Sequence, residues 1–144
     1  MKRIARSAIV EHSAAEMYAL VEDIESYPAF LPWCSEAVVH ERQPGRTKAT
    51  LTVGIGGMRH AFTTVNENRP GEAIDMKLVS GPFRRFHGEW RFVPLGAHAC
   101  RMEFTLEYEF SSRTLGRLLA PLFDGIADSM VEAFVRRAGT LHEG

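Results

Sequence analysis

Between Ala37 and Phe110 apolar side chains recur at every second position, and the runs are separated by clusters of turn-forming residues. In the clearest run, Cys100, Met102, Phe104, Leu106, Tyr108 and Phe110 alternate with Arg101, Glu103, Thr105, Glu107 and Glu109. That pattern describes a strand with one wet face and one buried face. Ala49, Leu51, Val53 and Ile55 repeat it against Lys48, Thr50 and Thr52, as do Ile74, Met76 and Leu78 against Asp75 and Lys77. The punctuation is "QPGR" at Gln43 to Arg46, "GIGG" at Gly54 to Gly57, "NRPG" at Asn68 to Gly71, "SGP" at Ser80 to Pro82 and "PLGAH" at Pro94 to His98. These turns cut the region into about six strands, and connections this short predict an antiparallel meander.

The flanks change period. Residues 2–11 are rich in Ile, Val and Ala and predict a further strand. After it, "SAAE" at Ser13 to Glu16 has the spacing of a capping box. A short helix is expected from Ala14 to Val21, with Met17, Leu20, Val21 and Ile24 on one face. Next comes "YPAFLPWC" at Tyr27 to Cys34, too apolar for an ordinary exposed loop, whose prolines forbid a regular helix or a central strand. At the end of the chain Leu115, Leu118, Leu119, Leu122, Phe123, Ile126, Met130, Phe134, Ala138 and Leu141 recur at spacings of three and four. They predict one amphipathic helix from Thr114 to His142, about 40 Å long, with a kink or a later start at Pro121. The fold class is α+β: a seven-stranded, curved antiparallel sheet wrapped around a long C-terminal helix. Where the sheet stands away from the helix an apolar tunnel is expected, with "YPAFLPWC" as its lid.

Composition narrows the class. At 144 residues, with 45% apolar and 24% charged residues, the profile is that of one soluble globular domain over 1–144. A net charge of −1 gives no basic field that would draw the whole surface to nucleic acid or anionic lipid, so any such contact must be a local patch. Cys34 and Cys100 form neither a disulfide framework nor a zinc knuckle, which fits a reducing cytoplasm. The opening "MKRIARSAIVEHS" is interrupted by Arg6 and Glu11, unlike a secretion signal, and no run of 18 apolar residues is present to span a bilayer.

Catalytic signatures are missing. The chain has no HExxH and no G-x-S-x-G, and its six histidines show no metal-ligand spacing. "GIGG" is followed by Arg59 where a dinucleotide cradle needs glycine, so it predicts a bulge or sharp bend. Glu103, Glu107 and Glu109 fall opposite the apolar row, which leaves no acid–base pair for an interior reaction. His60, Glu67 and Asp75 are the remaining polar pocket candidates.

"YPAFLPWC" and "LVSGPFRRFHGEWRF" at Leu78 to Phe92 resemble the two most recognisable stretches of the coenzyme Q-binding START-like family. This family belongs to the helix-grip superfamily, with the polyketide cyclases and birch-pollen-allergen-like proteins. The resemblance runs from the first strand to the closing helix. It implies a helix-grip fold that binds ubiquinone in the grip, without turnover and with no other cofactor, in support of respiratory electron transfer. Family members also act on ribosomal subunits. The alternative it implies is therefore a ribosome-association toxin that docks on the large subunit and blocks subunit joining. A cyclase-like enzyme ranks third.

For a quinone, moving the isoprenoid tail from bilayer to tunnel exchanges one hydrocarbon surrounding for another, so the roughly 0.8 kcal/mol per CH2 gained on leaving water nearly cancels. Selectivity then rests on stacking and hydrogen bonds to the ring. The expected lining is Tyr27, Phe30, Leu31 and Trp33 on the lid. On the sheet it is Leu51, Val53, Met76, Leu78, Phe83, Trp90, Phe104 and Tyr108, and on the helix Leu122, Ile126, Met130 and Phe134. Core packing is the competing reading for each. A pocket of about 300–1,000 Å³ would leave a long tail protruding, which favours peripheral docking at the inner membrane or a homodimer. "FRRF" at Phe83 to Phe86 places two arginines between rings that could anchor near lipid or ribosomal RNA phosphate, against the plainer reading of a solvated strand edge. Arg136 and Arg137 are a weaker basic pair.

Overall fold

A computed structural model describes residues 2–55 and 57–141. The order is β1 (Lys2–Val10), α1 (Ala14–Glu22), a 3-10 turn (Ile24–Ala29), β2 (Cys34–Gln43), β3 (Arg46–Ile55), β4 (Met58–Arg69), β5 (Ala73–Ser80), β6 (Phe83–Pro94), β7 (Cys100–Phe110) and α2 (Arg113–Leu141). All neighbours in the sheet are antiparallel, in the order β1-β7-β6-β5-β4-β3-β2. The meander is therefore as the alternation predicts, and β1 closes it by pairing with the last strand. "GIGG" joins β3 to β4 in a tight hairpin: Ile55 pairs with Met58 and Gly57 has φ +86°. Gly56 lies outside the described residues, as does His142, the predicted helix end.

Local chemistry fixes the ends of the elements. The Ser13 hydroxyl accepts from the Glu16 amide at 3.1 Å and starts α1. At the other end of α1 the Tyr27 hydroxyl donates to the Val21 carbonyl at 2.5 Å, satisfying a carbonyl that the helix leaves open. Register shifts at Cys34/Glu36 and Val39/Glu41 in β2, Thr63/Thr64 in β4 and Phe83/Arg85 in β6 bend the strands. Before β6 the chain turns at Gly81 (φ +153°), where an added Cβ would sit 2.7 Å from the Phe62 Cβ.

Pro121 does not delay α2, which starts at Arg113 and runs through it. The proline is exposed, so the carbonyl it leaves unbonded in the preceding turn lies on the side of the helix that meets water. The predicted apolar stripe is too long at both ends. Leu118 (51% exposed) and Leu141 (48%) face solvent, whereas Leu119, Phe123, Ile126, Ala127, Val131, Phe134 and Ala138 are buried.

Phe134 joins three elements. Its ring meets Trp90 of the sheet at 5.4 Å and Phe30 and Tyr27 of the proline-rich segment at 5.2 and 5.4 Å, all edge to face. Phe134→Ala is expected to cost about 3–5 kcal/mol, read as a lower urea midpoint with an unchanged slope.

Candidate functional site

Two places come into question: the space between the concave sheet and α2, and the outer groove where the proline-rich segment meets α2. The first is packed with the chain's own rings. Trp90 lies on Phe104 at 4.5 Å. Nearer the start of α2, Phe123 contacts Tyr108 at 4.8 Å, Phe83 at 5.0 Å and Phe62 at 6.3 Å. The free space there is about 20 Å³, bounded by Val53, His60, Phe62, Pro82, Phe83, Phe110, Leu119, Leu122 and Phe123. That is room for about one water molecule. The expected open tunnel is thus closed, because tilted and edge-to-face ring packing fills the gap left by the curvature.

Of the residues expected to line a tunnel, Tyr27, Leu31, Trp33, Val53, Phe83, Trp90, Phe104, Tyr108, Ile126 and Phe134 are buried. Phe30, Leu51, Met76, Leu78, Leu122 and Met130 are half-buried against the same core. Only Val53, Phe83 and Leu122 border the small opening. His60 borders it too, whereas Glu67 pairs with Lys77 at 3.6 Å and Asp75 with His87 at 2.5 Å, away from the interior. The sequence reading missed a buried polar group. Thr64 donates to Asn66 at 2.9 Å, and Thr47 pairs with Asn66 across the strands. The signal was available: Thr64 and Asn66 are in phase with inward-facing Phe62.

Ionisable groups inside are held neutral. Burial, then its hydrogen bond to the Asp124 carboxylate, pushes the Tyr108 phenol above its ordinary range, so it stays a donor. Burial pushes the Cys34 thiol up to about 11. Among the described residues no group of three or more His, Cys, Asp or Glu could hold a metal, and no helix is long and apolar enough to cross a membrane.

"YPAFLPWC" is the inner wall of the second place. A turn of 3-10 helix presents Tyr27 inward, and Leu31 and Trp33 follow it into the core. Arg42 of β2 braces the turn, donating from Nε to Glu22 and from Nη1 to Glu25, each at 2.8 Å. Its hydrogen bond holds the Glu25 carboxyl below the usual range. Outside, Phe30, Leu31, Pro32 and Trp33 face Ser129, Ala133, Arg136, Arg137 and Thr140 of α2 across a groove of about 260 Å³. The Arg137 guanidinium lies over the Phe30 ring, 5.0 Å from its centre. Arg136 donates to Glu132 at 2.8 Å. An apolar floor with two cations at its rim suits an anion attached to a flat or apolar group. Of the "FRRF" rings, Phe83 is buried and Phe86 is half-buried, bordering a shallow surface hollow with Arg84 and Arg85. Phe83 and Phe86 turn into the Phe123 cluster, while Arg84 and Arg85 are exposed and Arg84 stands 3.9 Å from Glu109.

Residues 10–135 match the family described as polyketide cyclase / dehydrase and lipid transport. The chain is 43% identical over 138 residues to the ribosome association toxin RatA of Vibrio cholerae, covering 96% of each. It is 29% identical to a coenzyme Q-binding protein COQ10 homolog B, mitochondrial, of Xenopus laevis, covering 98% of this chain and 60% of that protein. In fold it matches a START superfamily protein from Mycobacterium smegmatis, with a TM-score of 0.80 at 24% identity over 96% of this chain and 98% of that one. The helix-grip architecture expected from the sequence is thus the one observed.

Two outcomes follow from this packing. Trp33 is 6% exposed, so Trp33→Ala should cost about 3–5 kcal/mol in chemical denaturation, unlike truncation of a loose flap. Folding favours the protonated Cys34 thiol, whose ordinary value is 9.0. Its contribution is present below pH 9 and is lost as pH rises towards about 11. Urea titrations across that window should show a smaller stability loss for Cys34→Ala than for the native chain.

Proposed function

Because this chain belongs to the polyketide cyclase / dehydrase and lipid transport family, we propose that it acts by binding without turnover, associating with the large ribosomal subunit in the cytoplasm and blocking subunit joining. The observation that carries this reading is 43% identity over 96% of both chains to a protein named for ribosome association. The coenzyme Q-binding relative is more distant, at 29%. Geometry supports the same choice: the interior is filled, whereas an apolar groove rimmed by Arg136 and Arg137 is open on the surface. Arginine beside aromatic and apolar surface is suited to RNA, whose phosphates and unstacked bases need those two kinds of partner.

The second reading is quinone binding within the grip. It is favoured by the apolar character of the small opening between Phe62, Phe83, Leu122 and Phe123. This reading requires the rings around Phe123 to move apart on binding.

Sucrose-gradient profiles of ribosomes mixed with purified protein test the first reading. The expected result is protein migrating with large subunits, and free subunits accumulating at the expense of joined ribosomes. An unchanged profile with the protein left at the top of the gradient would sink it. Organic extraction of the protein from a quinone-producing host, followed by mass spectrometry, addresses the second: near-stoichiometric quinone supports carriage, and its absence counts against it.

A further inference from the structure

We propose that the outer groove holds one unpaired RNA nucleotide, with its phosphates on Arg136 and Arg137 and its base against Phe30 and Pro32. This deepens the ribosome reading and rests on it for the identity of the partner.

The charge balance at the groove points to an anion. Some cations elsewhere are answered by the protein itself, as in the pairs Arg3–Glu107, Arg6–Asp128, Arg42–Glu25 and Arg91–Glu89. Others, such as Arg46, Arg85, Arg101 and Arg117, carry no ion pair among the described residues; the groove differs in setting its cations beside an apolar floor. The groove lining carries two arginines and no carboxylate of its own; Arg136 is ion-paired at 2.8 Å with Glu132 beside it, which leaves Arg137 as the lining cation without an acid partner. Arg137 has no ion pair or hydrogen-bond acceptor among the described residues. Its place over Phe30 orients the guanidinium through the face of the ring, which leaves its N–H groups for a ligand. Arg136 gives one N–H to Glu132 and keeps the others.

The shape and the remaining polar atoms point to a nucleotide. Duplex RNA offers phosphates and 2′-hydroxyls but hides its base faces, so it has nothing to set against an apolar floor. An unstacked base has a flat face for Phe30 and Pro32 and an edge for hydrogen bonds. Two hydroxyls can meet that edge. Ser129 donates to the Ile126 carbonyl at 3.3 Å and Thr140 to the Arg136 carbonyl at 3.2 Å. Each hydroxyl proton is thus engaged and each oxygen is left as an acceptor, suited to the amino group of a base.

Both tryptophans are buried, but Trp33 borders the groove and Trp90 does not. Tryptophan fluorescence can therefore follow titration with a short oligo(A) RNA, with a matched RNA duplex and anionic phospholipid vesicles as competing probes. The native protein should bind oligo(A) in preference to both. Arg136→Glu/Arg137→Glu should weaken binding at least about tenfold. The slope of log K against log salt should shrink by about 0.7 for each phosphate no longer neutralised. Arg137→Ala, a milder change, should weaken binding in the same direction, with urea midpoints confirming that both variants fold. Unchanged affinity in the variants, equal binding of duplex, or binding of vesicles alone would overturn the proposal. Gradients run in parallel separate the two levels. If native and charge-reversed proteins both migrate with the large subunit, the groove assignment falls and the ribosome reading stands. If the native protein does not migrate with it, the ribosome reading falls, and the oligo(A) titration still reports on the groove.

Discussion

A long helix laid across a concave sheet leaves a gap of uneven depth, and aromatic rings in edge-to-face, tilted and stacked contacts are what fill it here. Phe123 and Phe134 lie about three helical turns apart and each gathers a ring cluster from the sheet. Because aromatic pairs favour such arrangements at centroid separations of about 4.5–7 Å, the two clusters set the spacing between α2 and the strands. The proline-rich segment is fixed by the same contacts, since Phe30 and Tyr27 reach the Phe134 ring. The 3-10 turn that holds Pro28 sends Tyr27 inward, and beyond it Leu31 and Trp33 are buried yet border the groove alongside Phe30 and Pro32.

Electrostatics sorts into an inner and an outer regime. Outside, the ion pairs of the sheet and helix surface are exposed, and such pairs contribute little individually. Arg137 has no acid partner among the described residues, as is true of several other surface cations, but it alone among them lies over an aromatic ring, that of Phe30. Inside, Thr64 is bonded to Asn66 and the Tyr108 phenol stays neutral beside Asp124, while the buried Asn68 Oδ1 is left without a hydrogen-bond partner among the described residues. Those features set a charged, largely exposed surface around a closely packed interior.

Much of this was legible in the chain. Alternation along Cys100–Phe110 marks the inward row of β7, and Ser13 with Glu16 marks the start of α1. Periodicity marks α2, but it cannot say how far the helix overshoots the sheet, which is why Leu118 and Leu141 were placed on a buried stripe. Nor can it separate a hollow grip from a filled one. The same inward residues line either, and the choice depends on curvature set by local register shifts such as Thr63/Thr64 and Phe83/Arg85. The outer groove was hidden for a related reason. Its two walls are almost a hundred residues apart in sequence, at Phe30–Trp33 and Ser129–Thr140, and only the docking of α2 brings them together.

The filled grip also bears on how one architecture can serve partners as different as a lipid and a ribosome. An interior guest must first push these rings apart and give up their mutual contacts, about 0.5–1.5 kcal/mol for each aromatic pair. A hydrocarbon tail arriving from a bilayer returns little of that, since it leaves surroundings as apolar as those it enters. Apparent affinity is then reduced by the small fraction of molecules that are open. A partner at the outer groove meets no such penalty, because Phe30 and Arg137 are already in place against each other. Within this fold, then, widening the Phe123 cluster would favour an interior ligand, and tightening it while keeping Arg136 and Arg137 would favour a surface one; this chain has the tight arrangement.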